Sequence, residues 1–326
     1  MKTNTKNTIL KLLKKKQLRP HDISNELGIS SVMTHRHLKQ LINDDLIEKK
    51  GSPPIVFYTI KQKTTLKDTG LTVKAEDEKF LNKHYLYVSP EGKIIEGPHG
   101  FLCWAQKTKQ KNIAGLVAEY IKTRKQINSH VKNNRIDATD KIQKTFDKKN
   151  IKKVFYQDFY AIPKFGKTKL GQLVLYAKQS QNKKMMYDVA KEIKPTINGI
   201  IKDFKINAVA FIPHSIPRET PFLNILKKQL NLSIPHIKLV KAYSGEIPVA
   251  QKSLSKLEDR IINAKNTIMV FNKSISNSRV LLIDDAVGSG STLYETAKKL
   301  KMLGVKKIYG YAIVGSYKGF EVIKEV

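Results

Sequence analysis

The chain has 326 residues, with 60 Lys and Arg against 28 Asp and Glu, a formal net charge of +32 and a single cysteine. That length accommodates two or three domains with cores of their own. No stretch has the length and apolarity of a membrane span, and no apolar leader core stands at the N-terminus. A lone Cys103 excludes an intramolecular disulfide framework and a cysteine-rich zinc site, so a cytoplasmic protein is expected. The cation excess suits a polyanionic partner, but only seven of the 60 cations are Arg and they are spread along the chain, so charge alone names no partner.

Residues 5–16 put Ile9, Leu10, Leu12 and Leu13 on one helical face. HDISNELGI gives a short helix with Ile23 and Leu27 inward, ended by Gly28. Ser30 or Ser31 caps a third helix, in which Val32, Leu38, Leu41 and Ile42 are expected to face the core. Leu46–Lys50 and Ile55–Ile60 read as two strands around Gly51-Ser52-Pro53-Pro54, a basic hairpin. Through the ELGIS turn and the HLKQL…LI run, this order resembles the winged helix-turn-helix of bacterial repressors over about 55 residues. The resemblance implies that Ser31, Thr34, His35, Arg36 and Lys39 face double-stranded DNA, with Arg36 at a guanine edge and Lys39 at phosphate. Lys49 and Lys50 would lie at the wing. Protein contact is the other common use of a winged helix. A homodimer is expected because such readers usually meet paired half-sites.

Residues 63–150 read as a linker region. A polar stretch leads into a short helix, a small hairpin covers His84–Gly97, and a long helix or helical pair runs from Asn112 to about Lys149. Cys103, between Leu102 and Trp104, reads as a core residue and not as a reactive thiol.

From residue 151 strands alternate with helices. Strands are expected at KKVFYQDFYAI, Asn207–Pro213, HIKLVKA, IMVF, VLLI and KKIYGYAIVG, the last closing the sheet. Helices are expected at GKTKLGQLVLYAKQS, at MMYDVAKEIKPTINGIIKDF, where Pro195 bends or breaks the run, and at ETPFLNILKKQLNL. The alternation predicts a mostly parallel sheet with helices on both faces and ligands outside the strands' carboxyl ends.

The chemistry concentrates in VLLIDDAVGSGSTL. Val280–Ile283 is an uninterrupted apolar strand, Asp284 and Asp285 follow, and Gly288, Ser289, Gly290, Ser291 and Thr292 precede a helix. Small residues between strand and helix N-terminus let backbone N–H groups close around a phosphate, while adjacent carboxylates suit a ligand with hydroxyls or a divalent cation. A Walker loop would need Lys after Gly290, and a dinucleotide loop a Gly where Leu293 stands.

The segment resembles the signature of type I phosphoribosyltransferases, which bind phosphoribosyl pyrophosphate (PRPP). By that resemblance Asp284 and Asp285 hold the ribose hydroxyls, and Ala286 and Val287 lead into a 288–292 loop that holds the 5′-phosphate. The loop departs from the family's usual Thr-Thr-Gly-Ala-Thr, keeping its donors. The Ile-Pro-His-Ser loop leading to Arg218, Gln251 to Ser255, Arg260 and Asn263, and the Tyr160…Lys178 segment resemble the ComF proteins of DNA uptake. The cysteine zinc module often found in that group is replaced here by the winged helix. This implies pyrophosphate contacts from His214, Ser215, Arg218 and Lys252. Mg²⁺ would be carried by PRPP near Asp284 and Asp285, with no metal ligated by the protein alone.

The expected fold class is α/β in three parts. These are a winged-helix DNA-binding domain (1–62), a small α+β and helical linker region (63–150), and a type I phosphoribosyltransferase fold with a mostly parallel sheet (151–326). The favoured function is a DNA-binding transcriptional regulator whose second half binds PRPP or a related nucleotide as effector, an arrangement that resembles the purine-operon repressors. The alternatives are an active enzyme transferring phosphoribose to a nucleobase, and a ComF-like protein handling single-stranded DNA.

Overall fold

The structure is a computed structural model, and it describes residues 5–61, 73–146, 149–243, 245, 247–271 and 275–318. They form two compact units, Met1–Gly70 and Leu71–Val326. The expected boundary at residues 62 and 63 and the polar stretch after it lie outside the described residues.

The first unit contains α1 (Thr5–Lys15), α2 (Pro20–Leu27), α3 (Ser31–Asn43) and an antiparallel hairpin of β1 (Ile47–Ser52) and β2 (Ile55–Ile60). Pro20 opens α2, where its missing N–H costs nothing, and Gly28 ends it in the left-handed region. Ser30 is the cap of α3, accepting from the Met33 N–H at 3.3 Å. Ile9, Leu13, Leu18, Ile23, Leu38, Leu41, Ile47 and Tyr58 form the core, each aliphatic side chain contributing about 1.5–3 kcal/mol of burial. Leu18 exchanges backbone hydrogen bonds with Tyr58, at 3.1 and 2.8 Å, and so ties the hairpin to the segment between α1 and α2.

The inward stripe of α3 differs from expectation. Leu38 and Leu41 are buried as expected, but Val32 and Ile42 are exposed. Thr34 takes the inward place, fully buried, with its hydroxyl donating to the Ser30 carbonyl at 3.1 Å. Spacing of 34, 38 and 41 is the helical i, i+4, i+7 stripe; hydrophobicity misassigned it because the threonine satisfies its hydroxyl on its own helix.

The second unit begins with α4 (Ala75–His84), β3 (Leu86–Val88), β4 (Ile94–Glu96), α5 (Gly97–Lys107) and α6 (Ile113–Asn128). The long helical run expected from Asn112 stops at Asn128. It is followed by a tight hairpin of β5 (Val131–Lys132) and β6 (Arg135–Asp137), then α7 (Thr139–Thr145). Asn133 and Asn134 both take positive φ, which makes that turn.

Next come β7 (Lys153–Phe159), the small pair β8 (Ala161–Ile162) and β9 (Gly166–Lys167), α8 (Lys169–Ser180), α9 (Lys183–Asp203), β10 (Ala208–Phe211) and α10 (Phe222–Leu230). The chain ends its described part with β11 (His236–Ile237), β12 (Leu239–Lys241), α11 (Leu257–Thr267), β13 (Ile268–Val270), β14 (Arg279–Val287), α12 (Ser291–Met302) and β15 (Lys307–Gly315).

The main sheet has the order β11-β10-β14-β15-β7-β6-β5, parallel from β11 through β7 and antiparallel thereafter. Two expectations change. β15 lies between β14 and β7 and closes no edge, while β13 leaves this sheet to pair with β12 in a separate two-stranded antiparallel sheet. α9 runs unbroken through Pro195.

The stretch expected as a linker shares the sheet's core. Leu81, Tyr85, Phe101, Leu116 and Tyr120 join one hydrophobic cluster with Phe155, Phe165 and Leu282. Arg124 of α6 makes a bidentate ion pair with Asp158 of β7, both bonds 2.9 Å, with both side chains almost fully buried.

Candidate functional site

β10 and β14 run side by side, Ala210 opposite Leu282, and the Ile212 N–H donates to the Ile283 carbonyl at 2.9 Å. The loops leaving both strands therefore open at the same edge of the sheet. β14 continues past the expected Ile283, and Asp284, Asp285, Ala286 and Val287 are strand residues in register with β15. That fixes their directions: Asp284 is buried and Asp285 partly so, while Val287 packs in the core.

Gly288 and Ser289 turn the chain, and Gly290, at φ 85°, is the N-cap of α12. Only glycine takes this conformation without strain, and an added Cβ would meet Ile142 Cδ1 at 2.7 Å. Ser289 Oγ and Ser291 Oγ lie 3.2 Å apart. Gly290 has no side chain to cap α12, and Ser289 Oγ reaches only the Ser291 N–H, at 3.4 Å, so the remaining first-turn donors and the dipole face the 288–292 loop, which is a cradle for an anion.

Two cations that the sequence argument did not place in the site lie against it. Lys178, in the last turn of α8, pairs with Asp285 Oδ2 at 2.5 Å. Arg260 of α11 stands beside the cradle, its Nη1 3.6 Å from where a Cβ on Gly288 would be. Its Nε donates to the Leu254 carbonyl at 2.7 Å. The signal for Lys178 was the Tyr160…Lys178 resemblance, which points at no particular strand until the topology is known.

The electrostatics are asymmetric. Burial, and then the adjacent Asp285 charge, push the Asp284 carboxyl from 3.8 up to about 7, against the Asp285 N–H and Lys178, which favour the charged form. Burial works against the Lys178 ammonium, but Asp285 and, further off, Asp284 outweigh it, so Lys178 stays charged. Burial thus favours the protonated form of Asp284, while Lys178 holds the charge of Asp285.

The loop after β10 presents His214 to solvent, with its imidazole held below the usual range by partial burial and then by Arg218. Ser215 accepts at its carbonyl from the Tyr243 hydroxyl at 2.8 Å. Arg218 Nη1 donates to the Lys178 carbonyl at 3.2 Å, and the Thr220 N–H to Gln181 Oε1 at 2.7 Å. The end of α8 therefore holds the 214–220 loop and the acid pair together. Lys252 lies on an exposed 3₁₀ turn, Gln251–Ser253, with no recorded bond to the cradle. No group of three or more metal-ligating side chains occurs among the described residues. A cavity of about 580 Å³ runs along α10, lined among others by Lys183, Lys227, Lys228 and His236, and includes no cradle residue.

On the first unit, His35, Arg36 and Lys39 are exposed on α3, as is Ser31, with Lys49 and Lys50 exposed on β1. Thr34, expected at DNA, is excluded from it by burial. No helix among the described residues is long and apolar enough to cross a membrane.

Residues 3–49 match the family model described as bacterial regulatory protein, arsR family. The chain is also similar to solved phosphoribosyltransferases. With the purine phosphoribosyltransferase of Pyrococcus horikoshii Ot3 it shares 17% identity at a TM-score of 0.25, over 42% of this chain and 94% of that one. With a hypoxanthine-guanine phosphoribosyltransferase of Bacillus anthracis the values are 14%, 0.26, 44% and 74%. With hypoxanthine phosphoribosyltransferase of Trypanosoma cruzi they are 15%, 0.28, 44% and 74%. At these values the reading of the site rests on its own geometry. No curated protein matches the chain. The N-terminal helix-turn-helix is thus similar to the arsR family over residues 3–49, and it is followed in the chain by an α/β unit built on a mostly parallel sheet.

Proposed function

We propose that this chain is a DNA-binding transcriptional regulator whose second unit binds PRPP, or a related phosphorylated ribose, as its effector. The observation that carries the reading is the acid pair at the end of β14. Asp284 is buried with its carboxyl raised toward the protonated form, Asp285 is held by Lys178, and the strand carrying both leads through the 288–290 turn to the N-terminus of α12. Carboxylates accept from vicinal hydroxyls, and the 288–292 loop accepts a terminal phosphate. Two carboxylates with ligand oxygens suit Mg²⁺, which arrives on the pyrophosphate. Lys178 and Arg218 supply positive charge where that group would lie, with His214 and Ser215 on the loop of Arg218 and Lys252 on an exposed turn.

The ComF resemblance fits the same arrangement, since Arg260 of that motif stands against the cradle. DNA recognition is assigned to the exposed face of α3 and the basic wing, in a homodimer that meets paired half-sites.

The test is the affinity for a duplex selected from a random pool, with and without Mg–PRPP, for wild type and the Asp284→Asn/Asp285→Asn variant. A PRPP-dependent change that the variant loses supports the reading. By linkage, the duplex must change PRPP affinity by the same factor. Release of pyrophosphate on adding a nucleobase would replace the sensor with an enzyme. Preference for single strands at matched salt would favour a ComF-like role.

A further inference from the structure

The outward face of α3 carries an apolar side chain where solvation favours a polar one. At about 100° per residue, Val32, Arg36, Lys39 and Asn43 fall within about 60° of arc directly opposite the buried stripe of Thr34, Leu38 and Leu41. Val32 is 79% exposed, the most exposed large hydrophobic side chain of the first unit's described residues. It packs against no core, and a β-branched residue in the first turn of a helix gives no gain in helix propensity. Its neighbours on the stripe are cationic or amide-bearing, and Lys49 and Lys50 are exposed on β1. That surroundings-to-side-chain mismatch suits a polyanion that also offers a small apolar group.

Resting on the DNA-binding reading above, we propose that Val32 is a specificity residue that packs against the 5-methyl group of a thymine in the major groove, next to the base contacted by Arg36. In the major groove the methyl is the one apolar group on a base edge, and small aliphatic side chains are its natural contact. Val32 and Arg36 are four residues apart, about 6 Å along the helix axis, against about 3.4 Å per base step. The two side chains therefore reach bases one or two steps apart. Phosphate contacts from Lys39 and the wing set the register but do not read sequence. Val32 and Arg36 together would discriminate a short thymine-plus-guanine element in each half-site.

The experiment uses the full-length chain and a duplex enriched from a random-sequence pool. Each thymine is replaced singly by uracil, which removes only the methyl, and affinity is read by fluorescence anisotropy at fixed salt. The expected result is one thymine per half-site where uracil weakens wild-type binding about fourfold, as one buried methyl is worth. In Val32→Ser that uracil penalty disappears, while every other position behaves as in wild type. Val32 is exposed, so the serine variant should keep the wild-type melting temperature, and circular dichroism verifies this. A uracil penalty of equal size in both proteins, or no sensitive thymine at all, overturns the assignment to Val32 while leaving DNA binding intact. Failure to enrich any duplex overturns the DNA-binding reading and this inference with it.

Discussion

Protonation of Asp284 makes a quantitative prediction for the ligand site. A ligand whose hydroxyls donate to the acid pair, with Mg²⁺ nearby, favours the ionised carboxylate, so binding must expel the proton. With the ligand-free carboxyl at about 7, the group is about one-tenth ionised at pH 6 and about nine-tenths at pH 8, so affinity for Mg–PRPP should rise about tenfold across that interval. Titration calorimetry at pH 6, in two buffers of different ionisation enthalpy, should count about one proton released per ligand, and almost none at pH 8. The phosphates of PRPP titrate in the same range, so the Asp284→Asn variant provides their contribution. The difference between the two proteins belongs to Asp284. Equal proton release by wild type and Asp284→Asn, or affinity independent of pH after that subtraction, refutes the assignment. The ligand-free chain gives a companion signal. The carboxyl is raised above its unfolded value of 3.8, so its contribution to stability is present below about pH 4 and is lost as pH rises through about 7.

Other expectations follow from the packing. Gly315→Ala would put a Cβ 2.0 Å from Cε2 of the fully buried Tyr156 ring; thermal melting should fall by about 6–12 °C, from about 3 kcal/mol of overpacking. Arg124→Met leaves the buried Asp158 carboxylate with the Phe159 N–H but without the two bonds from Arg124 and should cost about 3–5 kcal/mol in urea unfolding, part of which Arg124→Met/Asp158→Asn recovers. Burial, helped by Arg124, holds His84 down at about 4. It therefore stabilises above about pH 6.5 and loses that contribution as pH falls toward 4, and His84→Gln should flatten the acid limb of the melting curve. Arg36→Ala should cost about 1–3 kcal/mol at one base position, whereas Lys39→Ala should weaken all sequences alike and lower the salt slope by about one.

The strand–acid–loop–helix at 280–292 was legible because every feature is local: an apolar run, two carboxylates and small residues in order. The winged helix was legible for the same reason, through periodicity and turn residues. What escaped was decided by the partner each polar side chain finds. Thr34 reads as polar, yet its hydroxyl is satisfied within its own helix, which leaves Val32 outside. Lys178 ends a segment that resembles ComF proteins, but its partner Asp285 is far along the chain and is named only by the fold. Residues 63–150 read as a linker region, but Arg124 is buried by pairing with Asp158, a contact no periodicity reports.

The short strands that flank the main sheet bear on how the chain can be divided. β11 and β5, at its two edges, have two residues each, so neither offers a long row of free backbone groups to another molecule. On one side that protection is supplied by residues 131–137, which cover β7, a seven-residue strand rich in aromatic side chains. A fragment begun at residue 151 would uncover that strand and present it for intermolecular pairing, so it should aggregate where a fragment begun at residue 71 stays dispersed.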